Sequence, residues 1–167
     1  MSMSMSLSDT NTSVLFVCTG NIFRSMTAEY ALKKSLGPRS NIHVHSAGMI
    51  EAPHEVVPFV REYLSNQGVD ISKHSPRMID KKMLSESSLV VAMDIEHRRQ
   101  LLDKFNYNAP LFSEVVDGSE KPLLDVYEVV DNWLENEEKS REYGWSVMDT
   151  IFSGMPGFVG RMSSYMH

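Results

Sequence analysis

Residues 14–25 read VLFVCTGNIFRS, and this stretch is the most informative part of the sequence about the fold. Its first four residues are apolar, with valine at both ends, which is typical of a strand buried on both faces. The turn-forming residues 18–21 come next. A helix is then predicted to open at Ser25, whose hydroxyl can cap it, and to end at Gly37-Pro38. The stretch therefore predicts a strand, a tight loop and a helix in direct succession.

The remaining chain continues this alternation of strands and helices. Further strands are predicted at residues 42–45, 88–92 and 111–116, and further helices at residues 55–67, 94–102 and 129–143. Residues 145–162, which contain Pro156, are expected to begin as a helix and to become irregular. The pattern predicts the α/β class, as a single three-layer domain over residues 13–167 with a four-stranded parallel twisted sheet and helices on both faces. Residues 1–12 are expected to form a disordered tail.

The composition limits the possible partners. The chain has 167 residues, a formal net charge of −6 and a single cysteine, Cys18. The acidic balance argues against a nucleic-acid partner, which needs a basic face, and no uninterrupted apolar run reaches the roughly 20 residues that would span a bilayer. One cysteine excludes an internal disulfide and a metal cluster of several thiolates. Because a lone working thiol suits a reducing compartment, a cytoplasmic location without membrane attachment is expected.

The loop between the first strand and the first helix carries the chemistry. Five residues separate Cys18 from Arg24, enough for the loop to curl so that backbone N–H groups form a nest for an oxyanion beside the helix start. Gly20 permits backbone angles that a side chain would resist, and Ser25 can donate a hydrogen bond to the sulfur. The planar fork of Arg24 can hold two phosphoryl oxygens. Cys18 is therefore predicted to be a nucleophile, with Arg24 stabilising the transferred group.

The alternative is a buried structural cysteine near an unrelated arginine, because the spacing alone often arises by chance. The preceding strand, the Gly-Asn turn, the Arg-Ser ending and the following helix together favour the functional interpretation. No metal or other cofactor is needed for this chemistry. Substrate contacts are expected from the loop residues Thr19, Gly20, Asn21, Ile22, Phe23 and Ser25.

Residues 17–25 resemble the signature of the low-molecular-weight protein tyrosine phosphatases. The resemblance continues through SAG at 46–48, DISKHSPR at 70–77, VAMD at 91–94 and LDVY at 124–127. It covers most of the chain from residue 14 to about residue 133 and fades in the last third. The resemblance implies a metal-independent protein tyrosine phosphatase, with a phosphotyrosine protein or a small aryl phosphate as substrate and a cysteinyl-phosphate intermediate.

The resemblance also implies a general acid, which must protonate the leaving oxygen and later activate water. Asp125 matches the family's acid and Tyr127 its aromatic companion, which is expected to contact the substrate. Asp117 is the other candidate acid, but no aromatic residue stands two positions after it. We therefore expect Asp125 to be catalytic.

Other matching positions are expected to support the loop. Asn21, Ser46 and His74 match residues that form a hydrogen-bond network with the serine at the loop's end. Arg77 and Asp94 also match, and an ion pair between them is expected to fix the loops around the site.

The chain departs from the family pattern in ways that bear on substrate preference and redox behaviour. Val126 stands where the family has proline, and Phe23 stands where many relatives have a second cysteine, so Cys18 has no local disulfide partner. Residues 49–53 provide no aromatic wall, which leaves Tyr127 and Ile22 to contact a phenyl group. Ile22 argues against phosphoarginine as substrate, because relatives that act on it resemble this family with a small hydroxyl residue there.

Three other functions use a similar loop. An arsenate reductase of the same fold passes oxidation to further cysteines, and with one cysteine only external thiols could serve. A phosphate-carrier domain would hold phosphate on the cysteine without hydrolysis, and a non-catalytic domain would only bind it. Because Arg24 and a general acid favour turnover, a phosphate monoester hydrolase is the preferred interpretation.

Overall fold

A three-stranded parallel sheet forms the centre of the molecule. The computed structural model describes residues 12–167, and within them β1 (Ser13–Cys18) lies between β2 (His43–Gly48) and β3 (Leu89–Ala92). β1 is buried along its whole length, because both its edges are paired and both its faces are covered. The predicted strands at residues 14–17, 42–45 and 88–92 are thereby confirmed.

Helices cover both faces of the sheet, as expected for the three-layer α/β class. One face packs Phe16 of β1 against apolar side chains such as Met26 and Phe158, and the other packs Leu15 against Leu84 and Leu101. Within residues 12–167 the helices are α1 (Arg24–Leu36), α2 (Pro58–Asn66), α3 (Lys81–Glu86), α4 (Ile95–Phe105), α5 (Phe112–Asp117), α6 (Val126–Val129) and α7 (Glu137–Arg161), followed by a 3₁₀ turn at Met162–Tyr165.

The fourth strand predicted at residues 111–116 is wrong, and so is the four-stranded sheet. Leu111 makes one isolated parallel bridge to Ala92, after which the chain enters α5. The backbone N–H of Leu111 donates to Glu114 Oε1 at 2.8 Å, so the bond that would extend a strand closes the first turn of a helix instead. The apolar run is therefore buried at helical spacing, through Phe112 and Val115.

The C-terminal segment is one 25-residue helix, α7, so the predicted irregular second half is also wrong. Pro156 lies on the exposed side of the helix, while Met155 and Phe158 are buried. A Cβ at Gly157 would lie 2.6 Å from the carbonyl oxygen of Val116. Close packing against α5 therefore outweighs the weak helical propensity of Pro156 and Gly157. Despite its length, neither α7 nor any other helix in residues 12–167 is apolar enough to cross a membrane.

The predicted tail lies almost entirely outside the described residues, which begin at Thr12. The Thr12 side chain is buried, and its carbonyl oxygen accepts the N–H of His43 at 2.9 Å. Among the described residues, hydrogen bonding to β2 therefore already includes the residue before β1.

Gly144 in α7 allows the ring of Phe59, in α2, to lie against the helix, and a Cβ at position 144 would overlap that ring. We expect Gly144→Ala to lower the free energy of unfolding by about 1–3 kcal/mol. At Gly160, in the same helix, a Cβ would meet no atom within 4 Å, so Gly160→Ala should be neutral or stabilise by up to about 1 kcal/mol. Urea unfolding of the two variants measures the difference, and equal effects would contradict this packing.

Candidate active site

The loop between β1 and α1 has free main-chain donors. Among the backbone hydrogen bonds formed within residues 12–167, none uses the N–H groups of residues 19–23. Asn21 has the left-handed backbone angle expected of Gly20, with φ of 61°, a conformation that asparagine tolerates better than most residues. At Gly20 a Cβ would make a tight contact instead, 3.0 Å from Pro53 Cδ. The loop thus has unpaired N–H groups and a positive φ, two features of an anion-binding nest.

The thiol of Cys18 lies at the base of this loop and is 2% exposed. Its Sγ is 2.9 Å from Ser25 Oγ, and that oxygen accepts a hydrogen bond from Asn21 Nδ2 at 3.0 Å. The Ser25 hydroxyl also lies 3.4 Å from the carbonyl oxygen of Ala47, so its proton can be donated either to that carbonyl or to the sulfur. The predicted capping role of Ser25 is wrong, because α1 begins at Arg24 and its N-cap residue, Phe23, makes no side-chain cap.

Asn21 is held by the residues predicted to support the loop. Its Nδ2 also donates to Ser46 Oγ at 2.7 Å, and its carbonyl oxygen lies 3.0 Å from His74 Nε2. Ser46 in turn donates to Glu29 Oε1 at 2.5 Å. The network thus includes Asn21, Ser46 and His74 as expected, together with the buried carboxylate of Glu29, which sequence reasoning missed.

His74 is oriented by a second partner, Tyr30. Its Nε2–H donates to the carbonyl of Asn21, so Nδ1 is the acceptor for the Tyr30 hydroxyl at 3.3 Å. Burial, reinforced by the charge of Glu29, raises the pKa of Tyr30 to about 12. Tyr30 therefore keeps the proton that it donates to His74 at physiological pH.

Gly48, at the end of β2, is packed directly against the loop. A Cβ there would lie 2.7 Å from the carbonyl oxygen of Thr19 and 3.0 Å from the backbone nitrogen of Asn21. Any larger residue would displace the loop.

Arg24 is almost fully buried, with 1% of its surface exposed. Its Nη2 donates to Asp125 Oδ2 at 2.9 Å and to Thr19 Oγ1 at 3.2 Å, and its Nη1 donates to the carbonyl of Leu123 at 2.8 Å. Asp94 adds a carboxylate at 3.9 Å. The buried Nε has no partner among the described residues, so one donor of the guanidinium remains available.

The expected ion pair between Arg77 and Asp94 is wrong, since no such pair forms among the described side chains. Asp94 faces Arg24 and accepts the N–H of Leu123 at 3.0 Å. Arg77 supports the loop through its backbone N–H, which donates to Asn21 Oδ1 at 3.2 Å.

His97 in α4 contacts the same loop and was not found from the sequence. Its Nδ1 accepts the N–H of Asp94 at 3.1 Å, and its Nε2 lies 3.0 Å from Thr19 Oγ1 and 3.5 Å from Arg24 Nη2. Burial, with the charge of Arg24 as a smaller cause, lowers the pKa of His97 to about 3. The imidazole is therefore neutral, and with Nδ1 accepting, its Nε2–H donates to Thr19.

Asp125 begins the short helix α6, and the replacement of proline by Val126 helps to hold its carboxylate. The N–H of Val126, which a proline would lack, donates to Asp125 Oδ1 at 2.7 Å. The N–H of Asp125 donates to Glu128 Oε2 at 2.7 Å. Oδ1 is thus anchored to the backbone while Oδ2 faces Arg24. Asp117, the other candidate acid, is exposed in α5 and accepts hydrogen bonds from Ser119.

An apolar cleft of about 230 Å³ opens beside the loop. Ile22, Phe23 and Tyr127 line it as predicted, with Thr19, Gly20 and Asp125. Aromatic rings also reach it from distant segments, through Phe59 in α2 and Trp133 before α7, a contribution that no local pattern could reveal. His54 packs against Trp133 with ring centres 5.4 Å apart. The cleft therefore has an aromatic wall, although residues 49–53 do not supply it.

No group of three or more His, Cys, Asp or Glu side chains within residues 12–167 is arranged to hold a metal ion. The lining of the cleft includes the carboxylate of Asp125. The loop beside it carries donors: the unpaired N–H groups of residues 19–23, the Cys18 thiol and the Arg24 guanidinium. They can bind an oxyanion next to a nucleophile, which places the protein among α/β proteins that handle phosphate-like anions through a cysteine.

The family within this class follows from sequence comparison. The family described as low molecular weight phosphotyrosine protein phosphatase matches residues 13–139. Because this match covers well over half of the 167 residues, the chain belongs to that family.

Individual relatives differ in their named activities. The protein-arginine-phosphatase of Bacillus subtilis (strain 168) is 32% identical over 120 residues, which are 68% of this chain and 79% of the relative. Arsenate reductase 2 of Staphylococcus haemolyticus (strain JCSC1435) is 42% identical over 80 residues, 48% of this chain. That match spans only 58% of the reductase's own length.

Solved structures agree with the fold. A YwlE mutant from Bacillus subtilis superposes with a TM-score of 0.75 at 23% identity, over 92% of this chain and 99% of the other. A low molecular weight protein tyrosine phosphatase from T. tengcongensis superposes with a TM-score of 0.62 at 30% identity, over 86% of this chain and 99% of the other.

The depressed pKa of His97 predicts how stability depends on pH. The folded protein keeps His97 neutral down to a pKa of about 3, whereas the unfolded chain binds a proton below about 6.5. His97 therefore lowers the free energy of unfolding as the pH falls from about 6.5 to 3. In His97→Gln, the free energy of unfolding should therefore fall less steeply with decreasing pH. The slope of the free energy of unfolding against pH should be smaller by up to about 1.4 kcal/mol per pH unit.

Urea unfolding from neutral to acidic pH measures the slope. His43→Gln, at an exposed position of β2, controls for the loss of an imidazole. Parallel curves for the His97→Gln variant and the original protein would show that His97 is not held neutral.

Proposed function

We propose that this protein is a protein tyrosine phosphatase, or a closely related phosphate monoester hydrolase, that acts through a cysteinyl-phosphate intermediate. The observation that carries the proposal is the Cys18 thiol, hydrogen-bonded to Ser25 at the base of a loop whose N–H groups at residues 19–23 are unpaired. A phosphoryl group would bind these N–H groups, and its phosphorus would then face the sulfur.

Arg24 would complete the binding of the phosphoryl group. Its unpaired Nε is a buried donor that a phosphate oxygen would satisfy. The planar guanidinium would also stabilise the negative charge on the oxygens as the phosphoryl group moves to sulfur. Because main-chain donors and Arg24 meet this charge, the mechanism requires no metal or other cofactor.

Asp125 would move from Arg24 to the leaving oxygen. Without substrate its Oδ2 lies 2.9 Å from Arg24 Nη2, where it competes with an incoming phosphate. A bound dianion would displace the carboxylate and favour its protonated form. Asp125 would then donate the proton to the departing alkoxide or phenoxide, and in the second step would remove a proton from the water that hydrolyses the cysteinyl phosphate.

The cleft favours an aryl phosphate over phosphoarginine. Its lining is mainly apolar and aromatic, and Asp125 is the only carboxylate among the described residues that line it. A phenyl ring would pack between Tyr127 and Trp133, whereas a guanidinium would need further acidic partners. Ile22 supports the same preference. We therefore propose a phosphotyrosine protein or a small aryl phosphate as substrate, although one relative is named a protein-arginine-phosphatase.

The wider setting follows from the same chemistry. We propose that residues 13–167 work as one phosphatase domain in the cytoplasm, where a single cysteine stays reduced. The acidic net charge of −6 fits a protein substrate better than a nucleic acid. Because Cys18 is the only cysteine, arsenate reduction by an internal thiol cascade is not open to this chain.

The role of Asp125 as general acid can be tested by substitution. We expect Asp125→Asn to lower kcat for phenyl phosphate by roughly 10²–10⁴, and by less for p-nitrophenyl phosphate, whose leaving group needs little protonation. Asp117→Asn is the matched control, because Asp117 lies outside the cleft and binds Ser119. Steady-state kinetics of both variants shows which of the two carboxylates is the general acid. An Asp125→Asn variant that keeps the original kcat for phenyl phosphate would contradict the assignment to Asp125.

The role of Cys18 as nucleophile can be tested by trapping the intermediate. Rapid mixing with p-nitrophenyl phosphate should give a burst of p-nitrophenol, and a denaturing quench at alkaline pH, where the S–P bond survives, should trap phosphate on Cys18, detectable by mass spectrometry. Cys18→Ser should abolish turnover and still bind inorganic phosphate. If turnover persists in Cys18→Ser, or if the trapped phosphate lies on another residue, the cysteinyl-phosphate mechanism is excluded.

A further inference from the structure

A second groove adjoins the catalytic cleft. It has a volume of about 460 Å³ and shares Val57, Phe59 and Trp133 with the cleft. We call it the flank groove; its other lining residues that matter here are Leu134, Glu62, Glu137 and Arg141. Because one set of apolar side chains borders both spaces, a peptide with its phosphorylated residue in the cleft would lay neighbouring residues over the flank groove.

The shared wall is held in place without a ligand. Ser140 Oγ donates to the carbonyl of Trp133 at 2.7 Å, and Trp145 Nε1 donates to the carbonyl of Phe59 at 2.9 Å. The ring of Phe59 lies against α7 where Gly144 leaves space. These contacts mean that little conformational entropy is lost when a peptide settles on this surface.

Two of the residues that line the flank groove are glutamates without an ion-pair partner among the described residues. Glu62 and Glu137 are exposed, and neither takes part in an ion pair with another described residue. Arg141 is the basic residue of the lining, and its guanidinium lies 6.0 Å from the ring centre of Trp145. The flank groove therefore combines an apolar floor with negative charge at its edge.

A lysine or arginine side chain matches this combination, because it has an aliphatic stem and a cationic end. The stem would cover Trp133 and Leu134, which is 63% exposed, while the cation would reach Glu62 or Glu137. An acidic side chain would meet like charge in the same place.

We propose that the flank groove binds a lysine or arginine that lies near the phosphotyrosine in the sequence of the substrate protein. This inference rests on the proposed phosphatase function and adds a substrate preference to it. The substrate is the occupant that the structure favours over a second copy of the chain, since the flank groove shares Val57, Phe59 and Trp133 with the catalytic cleft and its charge is complementary to a basic residue.

Synthetic phosphotyrosine peptides test the preference. An arginine is placed at each flanking position in turn in an otherwise uncharged peptide, and a glutamate is placed at the same positions in a second series. For at least one position, kcat/KM should be about 3- to 10-fold higher with arginine than with glutamate. The difference should shrink as ionic strength rises, because the carboxylates are exposed.

Variants tie the preference to the flank groove. In Glu62→Gln/Glu137→Gln, the arginine-to-glutamate ratio of kcat/KM should fall towards one, and in Glu62→Lys/Glu137→Lys it should invert. The matched control is Glu138→Gln/Glu142→Gln, which removes the same charge from exposed positions of α7 outside the flank groove and should keep the original ratio.

The outcomes separate this inference from the proposed function. If p-nitrophenyl phosphate is hydrolysed but every arginine peptide reacts no faster than its glutamate counterpart, the basic-flank preference is wrong and the phosphatase function stands. An equal loss of preference in Glu62→Gln/Glu137→Gln and in the control Glu138→Gln/Glu142→Gln would assign the preference to overall charge and overturn the site. If the chain hydrolyses neither p-nitrophenyl phosphate nor any peptide, the proposed function fails, and this inference fails with it. A mass that doubles in solution, with the preference lost when the dimer forms, would assign the flank groove to a second copy.

Discussion

The buried guanidinium of Arg24 is the constraint around which the site is organised. A cation that is 1% exposed must be compensated by partners, because removing it from water is costly. Those partners come from three separate parts of the chain: Thr19 in the loop, Asp94 after β3, and Leu123 with Asp125 before α6. Arg24 therefore joins the end of the sheet to the segment that carries the proposed acid. In the proposed mechanism its contact with Asp125 would break when phosphate binds.

The loop itself is held rigid from both sides. Asn21, with its positive φ, is fixed by Ser46 and His74, while Thr19 accepts a hydrogen bond from neutral His97. This support leaves the N–H groups of residues 19–23 without a backbone partner, a conformation that an unsupported chain would give up for internal or water hydrogen bonds. Preorganised donors of this kind stabilise developing charge without reorganising during the reaction.

Substrate recognition depends on a wall assembled from distant residues. Phe59 and Trp133 line the catalytic cleft and also the flank groove, so the surface that would hold an aromatic ring would also hold the residues beside it. Residues 49–53, where the resemblance implies an aromatic wall residue, contribute Ile50 and Pro53 to the lining. The aromatic part of the wall therefore comes from segments far from this one in the chain.

The sequence by itself determined the unit of β1, loop and α1, with Cys18, Arg24 and Ser25 in place, because strand, turn and helix signals lie within one contiguous stretch. The resemblance added Asp125, Asn21, Ser46 and His74. Tertiary structure decided the rest. Phe112–Asp117 form a helix because Glu114 accepts the N–H of Leu111, and α7 continues through Pro156 because Gly154 and Gly157 pack against α5. His97, Phe59 and Trp133 reach the site only when packing joins segments far apart in the chain, and no local pattern encodes such contacts.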